Sequence, residues 1–307
     1  MTIRYFLGRL FQGGLVLLAV ATITFGLLYL LPADPARLVA GRSASPESVA
    51  MVRKELGLDR PLYERYVRYL GGLLRGDLGR SYMQRTEVRE LILSRLAPTL
   101  QLTLLGIFAE LAIGLPLGIL AAVSSGRICD RLVTVWAFAM VAAPQFALGL
   151  LLLYTFGYLW PIFPLGGYGS WQHAVLPALT LGLTGGGWYA RMARSSLREV
   201  LATDYVRTAK AKGLSPWVVL GKHALRPALL PIVAMVGADL GVFMGGVVVV
   251  EAVFGWPGIG QLAWQAIQQV DIPIVLGVVL VTAASVVVGN LLADLMYTVL
   301  DPRVRYT

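Results

Sequence analysis

The chain has 307 residues, of which 57% are hydrophobic and 14% charged, and its mean hydropathy is +0.71. Soluble domains carry charge on about a quarter of their residues, so this composition excludes a water-soluble enzyme and indicates a polytopic membrane protein. The net charge of +9 does not indicate nucleic acid, because the basic residues fall between apolar runs of about 20 residues, the length that crosses a bilayer.

Arg4 and Arg9 precede the first run, Leu10–Leu31. It exceeds the roughly 7–15 apolar residues of a secretory signal and is expected to be a retained span. Five more runs follow: Thr99–Val123, Leu132–Tyr158, Ala174–Ala190, Pro231–Val250 and Ile274–Leu300. The expected fold is therefore all-α and polytopic, a single transmembrane domain with six membrane helices. Pro116 and Pro144 predict kinks, and the fourth run is the weakest, being short and interrupted by Pro177 and Gly185-Gly186-Gly187. The segments Trp160–His173 and Glu251–Pro273 contain no Lys or Arg, whereas the opposite side carries fourteen, eight of them between Arg191 and Arg226. The positive-inside rule then places both termini in the cytoplasm.

The count puts residues 33–97 outside. That segment is rich in charge of both signs, and long loops translocate largely regardless of charge. It reads as short amphipathic helices. Ser45-Pro46 caps one that Gly57 closes. Pro61 opens a second with Tyr63, Tyr66, Leu70 and Leu73 on one face. Thr86 caps a third, with Glu87 and Glu90 in its first turn and Leu91, Ile92 and Leu96 facing membrane or helices. The lone cysteine, Cys129, has no disulfide or metal partner, and His173 and His223 fall on opposite sides, so no metal site is expected.

Between spans four and five, residues 191–230 form a cytoplasmic loop that includes Arg207, Lys210, Lys212, Lys222, His223 and Arg226. Thr203 or Asp204 can cap a helix that Gly213 closes in the left-handed conformation, and Ser215-Pro216 can start another, ended by Pro227 and Pro231. One reading is a loop lying on anionic lipid. The order of residues offers another. Arg207-Thr208-Ala209, then Gly213, then His223-Ala224-Leu225-Arg226-Pro227 resembles the EAA loop of ABC-importer permeases, with Arg207 and Thr208 in place of Glu and Ala and the closing proline one position late.

The resemblance extends along nearly the whole chain to the peptide-permease branch, the dipeptide and oligopeptide importers with a long outer insert. It is carried by Leu31-Pro32-Ala33-Asp34-Pro35 (Ala33 replacing the usual Gly), Leu56-Gly57-Leu58-Asp59-Arg60-Pro61-Leu62, Gly71 to Ser81, Asp204 to Ala209, Phe254 to Gly260 and Asp301-Pro302-Arg303-Val304-Arg305. It implies a non-catalytic subunit in a bacterial or archaeal cytoplasmic (inner) membrane that forms half of a translocation pathway. The implied partners are a homologous permease, two ATP-binding subunits and an extracytoplasmic binding protein, within the lipid bilayer and without nucleic acid. No cofactor is expected on this chain, ATP and Mg lying on the partners. The implied coupling loop comprises Asp204, Tyr205, Arg207, Thr208, Ala209, Lys210, Lys212, Gly213 and Leu214. Peptides are the implied substrate, with nickel, haem, glutathione or another small solute as alternatives.

Glu110, Asp239 and Asp294 fall inside spans, where ionisable groups are rare and face the bundle interior or water. Glu110 and Asp239 are candidates for the translocation path; bonding to neighbouring groups is the alternative for all three. Phe254, Trp256, Pro257 and Gly258 form a glycine- and proline-rich outer turn, read either as an outer gate or binding-protein contact or as an interfacial anchor. An enzyme within the membrane would need polar groups converging at one interface, and these acids and histidines are scattered. An autonomous channel or carrier is favoured only by the buried acids.

Overall fold

The computed structural model describes residues 3–30, 34–41 and 43–300, and the regular elements among them are helices. The motif residues Leu31–Ala33 and Asp301–Arg305 lie outside the described residues. After α1 (Ile3–Leu30) come three short helices, α2 (Pro35–Ala40), α3 (Pro46–Glu55) and α4 (Leu62–Leu73). The Asp34 carboxylate accepts from the Ala36 amide at the start of α2, and Ser45 Oγ accepts from Ser48 at the start of α3. Gly57 follows α3 at φ +63°. The inner face of α4 differs from the expected one: Tyr63 is exposed, while Tyr66 and Tyr69 pack on Phe25 of α1 with ring centres 5.3 and 5.4 Å apart.

The third outer helix is not separate. It is the first three turns of α5 (Val88–Val123), whose 36 residues extend about 54 Å at 1.5 Å per residue. Thr86 donates to the Gln84 carbonyl instead of capping, and Ile92 packs with Leu262, Ile274 and Val278 of later helices. The third expected span is broken. The helices α6 (Ile128–Ala142) and α7 (Gln145–Leu153), the latter continued by a π-helical turn to Leu159, meet at 99°. Pro144 drives Ala143 into the extended region, at φ −69° and ψ 126°, by the clash that a proline imposes on the residue before it.

The fourth expected span is neither short nor interrupted as a helix, although its hydropathy stays below that of α1 and α5. α8 (Trp171–Leu201) runs unbroken for 31 residues through Pro177 and the three glycines. Its glycines serve packing. α5 and α8 lie together along most of their length, and a Cβ on Gly114 would stand 2.6 Å from the Gly186 carbonyl oxygen and 2.6 Å from Tyr189 Cβ. Small residues let helices approach closely where lipid supplies no hydrophobic drive between them.

The loop helices α9 (Asp204–Ala211), α10 (Pro216–Val218) and α11 (Arg226–Ala228), the last two joined by π-helical residues Val219–Leu225, lead to α12 (Leu230–Met244). Pro227 and Pro231 bend this path by 45° rather than ending it. Then come α13 (Val248–Phe254), α14 (Ile259–Gln269) and α15 (Ile272–Leu300). α12 and α15 pack in the manner of α5 and α8, with Gly237, Gly241 and Gly289 at the seam. By length and hydropathy α1, α5 and α15 can each cross a membrane, and two bent pairs, α6 with α7 and α10–α11 with α12, have the length and hydropathy of a crossing when each pair is taken together. With α8, each of the six expected spans corresponds to a helix or a bent helix pair.

Two clasps fix the end of the bundle that carries the insert. The fully buried Asp271, just before α15, accepts from the Ser81 hydroxyl and from the amides of Tyr82 and Met83, which ties the insert to the bundle. Between α13 and α14, Trp256 Nε1 donates to the Pro98 carbonyl at 3.0 Å, and Ile259 donates to Thr99 Oγ1 at 2.8 Å. Glu251 lies beneath this turn, wholly buried, with its carboxylate accepting from the Gln261 amide at 2.7 Å and from Thr99 Oγ1.

The α5–α8 seam predicts that Gly114→Leu lowers stability by about 1–3 kcal/mol, the cost of overpacking a closed contact. Gly14→Leu, with nothing within 4 Å of its Cβ position, should leave the thermal midpoint of the detergent-solubilised chain unchanged, and equal effects would refute the seam. Glu251 predicts a pH dependence. Burial pushes its carboxyl from 4.5 up to about 7, against the lowering by its hydrogen bonds. An acid raised on folding binds its proton more tightly when folded, so its stabilising contribution is complete below about pH 4.5 and declines as pH rises through about 7. Over that window the midpoint of the native chain should fall more steeply than that of Glu251→Gln; parallel curves would exclude this carboxyl as the cause.

Candidate functional site

The cationic loop is a rooted structure. Val206 and Ala209 on the inner face of α9, with Val219, form a small buried cluster against Val200 and Leu201 at the end of α8. A second cluster, Ala122, Leu197, Ala224 and Ala228, joins α5, α8 and the approach to α12. Gly213 closes α9 at φ +76°, a backbone conformation that side-chain-bearing residues rarely adopt, and its amide donates to the Lys210 carbonyl at 3.0 Å. Thr203 occupies the cap position of α9, but its hydroxyl donates back to the Val200 carbonyl.

The outward face of the loop has two chemistries. Arg207, Lys210 and Lys212 are exposed, and Arg207 pairs with Asp204 at 3.3 Å across a fully solvated surface. Such a pair contributes little to stability. Thr208 hydroxyl donates to the Asp204 carbonyl. Among these polar groups stand Tyr205, Leu214, Trp217 and Val218, all exposed, Trp217 at 82%. The sequence reading took in Tyr205 and Leu214 but missed Trp217, although its position just after Ser215-Pro216 marks it as the first turn of a new helix.

Inside the bundle the structure brings Glu110 and Asp239 together. They line one half-open cavity of ≈ 380 Å³ with Gln145, Thr184, Trp188 and Tyr189, contributed by α5, α7, α8 and α12. Tyr189, itself buried, donates its hydroxyl to Asp239 Oδ2. Glu110 is buried against Gly185, where a Cβ would collide with its carboxylate. Asp294 lies elsewhere and pairs with Arg9 of α1 at 3.0 Å. Sequence reading also missed Asp130, which accepts two bonds from Arg194 of α8 and one from the Gly126 amide, and so anchors the start of α6. An Asp near the start of a helical run reads as a terminus residue, and its long-range partner carries no sequence signal.

The Phe254–Gly258 turn faces into the bundle. Phe254 and Trp256 are buried, Gly258 is buried and Pro257 half-buried. Trp256 meets the Pro98 carbonyl and Tyr168, whose ring stands edge-on to it at 4.9 Å, and Gly258 lies against the Glu251 carboxylate. Turned inward, Phe254 and Trp256 are not exposed as an interfacial anchor would be. Among the described residues no three His, Cys, Asp or Glu side chains are grouped as metal ligands.

Comparison with known proteins agrees with this architecture. Residues 114–306 match the binding-protein-dependent transport system inner membrane component, and residues 2–103 match the N-terminal model of such membrane components. The chain is similar to the glutathione transport system permease protein GsiC of Salmonella paratyphi A, 43% identical over 99% of both chains. It is also similar to GsiC of Escherichia coli K12, 41% identical over 94% of this chain and 95% of that one. Among solved structures, the inward-facing MetNI methionine ABC transporter shares the fold at a TM-score of 0.54 and 22% identity, over 69% of this chain and 97% of that one. An amino acid ABC transporter crystallised with histidines does so at 0.51 and 16%, over 70% and 95%. The chain belongs to the binding-protein-dependent transport system inner membrane component family, and is an ABC-importer permease subunit.

Proposed function

We propose that this chain forms half of the translocation pathway of an ATP-driven importer for glutathione or short peptides of its kind, and that residues 204–218 dock it to an ATPase subunit. The observation that carries the docking is the rooted loop with an exposed Tyr205–Leu214–Trp217–Val218 face. Apolar side chains held outward on a fixed element suit a groove in a partner, and exposed aromatics of this kind supply much of the energy of such contacts. Lipid alone would not need the left-handed turn at Gly213 or the clusters that tie α9 to α8. Arg207, Lys210 and Lys212 add attraction for acidic groups on the partner. Within this reading the whole chain is one transmembrane domain, with residues 33–97 outside and both termini in the cytoplasm. A second permease, two ATPase subunits that hold ATP and Mg, and a substrate-binding protein complete the assembly. Peptides remain the substrate class, narrowed towards glutathione, itself a tripeptide, by the names of the GsiC relatives.

Co-expression with its genomic neighbours followed by pull-down tests the docking. The native chain should retain an ATPase subunit, and Trp217→Asp combined with Leu214→Asp should lower retention at least roughly tenfold, as loss of an interface anchor does. Gly213→Val, strained by its positive φ, should do the same. Full retention by both variants, or none by the native chain, would overturn the docking role.

A further inference from the structure

The cavity shared by Glu110 and Asp239 holds an imbalance that the fold alone does not explain. Two carboxyl groups and the Tyr189 phenol converge from α5, α8 and α12, yet no Lys, Arg or His lines the space. Arg191, only two residues beyond Tyr189, lies with its guanidinium over the rings of Phe138 and Trp188, 4.4 and 5.3 Å from their centres, in a neighbouring cavity. Glu110 Oε2 is buried and has no hydrogen-bond partner among the described residues. Gly185 leaves the room that this carboxyl fills. Thr184 spends its hydroxyl proton on the carbonyls of Thr180 and Leu181, so it faces the cavity as an acceptor, not a donor.

The surroundings thus hold two acids and further acceptors, with the neutral Gln145 amide and Trp188 indole as side-chain N–H donors and no cation. An isolated buried carboxylate is costly, and an arriving group with several donors and a positive charge relieves that cost. A primary ammonium has three N–H donors and one charge. Glu110, Asp239 and the Gln145 carbonyl supply acceptors. A metal ion is a poorer fit, since only two acids are present and no third ligand of that kind joins them. We propose that this cavity is an ammonium-binding site that receives the free amino end of the imported peptide during passage, with Glu110 and Asp239 as its ligands and Tyr189 as the residue that positions Asp239. The identification of the ligand as a peptide rests on the importer reading; the ammonium chemistry rests on the cavity.

The test uses the full chain in lipid nanodiscs, with the fluorescence of Trp188, which lines the cavity, as reporter. Glutathione and triglycine are each compared with their N-acetylated twins, in which a neutral acetamide replaces the ammonium group. Both free amines should change the native signal saturably, Trp188→Phe should lose that change, and each acetylated twin should bind roughly tenfold more weakly or worse, as loss of a charged hydrogen bond implies. Glu110→Gln and Asp239→Asn should each raise half-saturation by a similar factor while eluting as the native chain does. Tyr189→Phe should weaken binding less, because it removes a positioning bond and not a ligand. Equal responses to free and acetylated peptides, or no saturable response to either amine, would overturn the site without relying on any variant. ATPase retention is read separately. A chain that docks but does not discriminate loses the ammonium site alone, whereas one that discriminates but never docks keeps the site and loses the importer role.

Discussion

The structure depends on the close approach of α5 and α8. In a bilayer, apolar side chains gain nothing by leaving lipid for one another, so helices associate through fit and through bonds between polar groups. Gly114 and Gly118 on one side, and Gly182 and Gly186 on the other, bring the two backbones near enough for such fit. Everything of chemical interest hangs from this pair. Thr99, within α5, holds the outer turn; Glu110 lines the cavity; Ala122, near its end, meets Leu197 and Ala224 beneath the loop. A seam that slipped by one turn would displace all three together.

Buried acids in this chain are satisfied in different ways, and the contrast separates structural from functional candidates. Asp271 is saturated by a hydroxyl and two amides and Asp130 by a bidentate guanidinium and an amide, while Asp294 is paired with Arg9. Each of these joins elements distant in sequence. Glu251 is held by the Gln261 amide and Thr99. Glu110 shares with Asp294 a buried oxygen that has no hydrogen-bond partner, but Asp294 has the Arg9 cation beside it, whereas no Lys, Arg or His lines the cavity around Glu110. A cavity that contains an unpaired acceptor beside Asp239 has the character of a site awaiting a ligand, not of a fastening.

Local chemistry was legible in the sequence wherever it is decided locally. Ser45-Pro46, Gly57 and Gly213 are where capping rules place them, because backbone conformation there depends on a few adjacent residues. Depth and partnership were not legible. α8 looked weak because its apolar run is short and interrupted by Pro177 and three glycines, whereas the helix runs on past both ends and turns Thr180, Thr184, Gly186 and Gly187 towards neighbouring helices. Prolines were equally ambiguous. Pro144 breaks its span at 99° while Pro116 and Pro177 are absorbed, and the difference lies in the tertiary setting of each. Phe254 to Gly260 shows the same limit: its glycines mark a turn, but only the contacts with Pro98, Thr99 and Glu251 reveal that the turn faces inward.

The positions of loop and cavity also bear on how energy spent outside the membrane reaches a solute within it. α9 is seated on the end of α8, and the helical path from Pro216 runs with a 45° bend into α12. These are the helices that carry Tyr189 and Asp239, whose hydrogen bond spans the gap between them. If the loop is the docking element, a partner that pulls on it acts on both helices at once, and any relative rotation of α8 and α12 is felt first at that bond. Glu110 stays with α5, held to α8 by the tight seam. A rocking motion would therefore open or close the distance from Asp239 to the Glu110–Tyr189 side of the cavity. Two acceptors that part as the helices rock grip a cation in one state and release it in the other, and that differential affinity is what a conformational cycle needs in order to move its cargo.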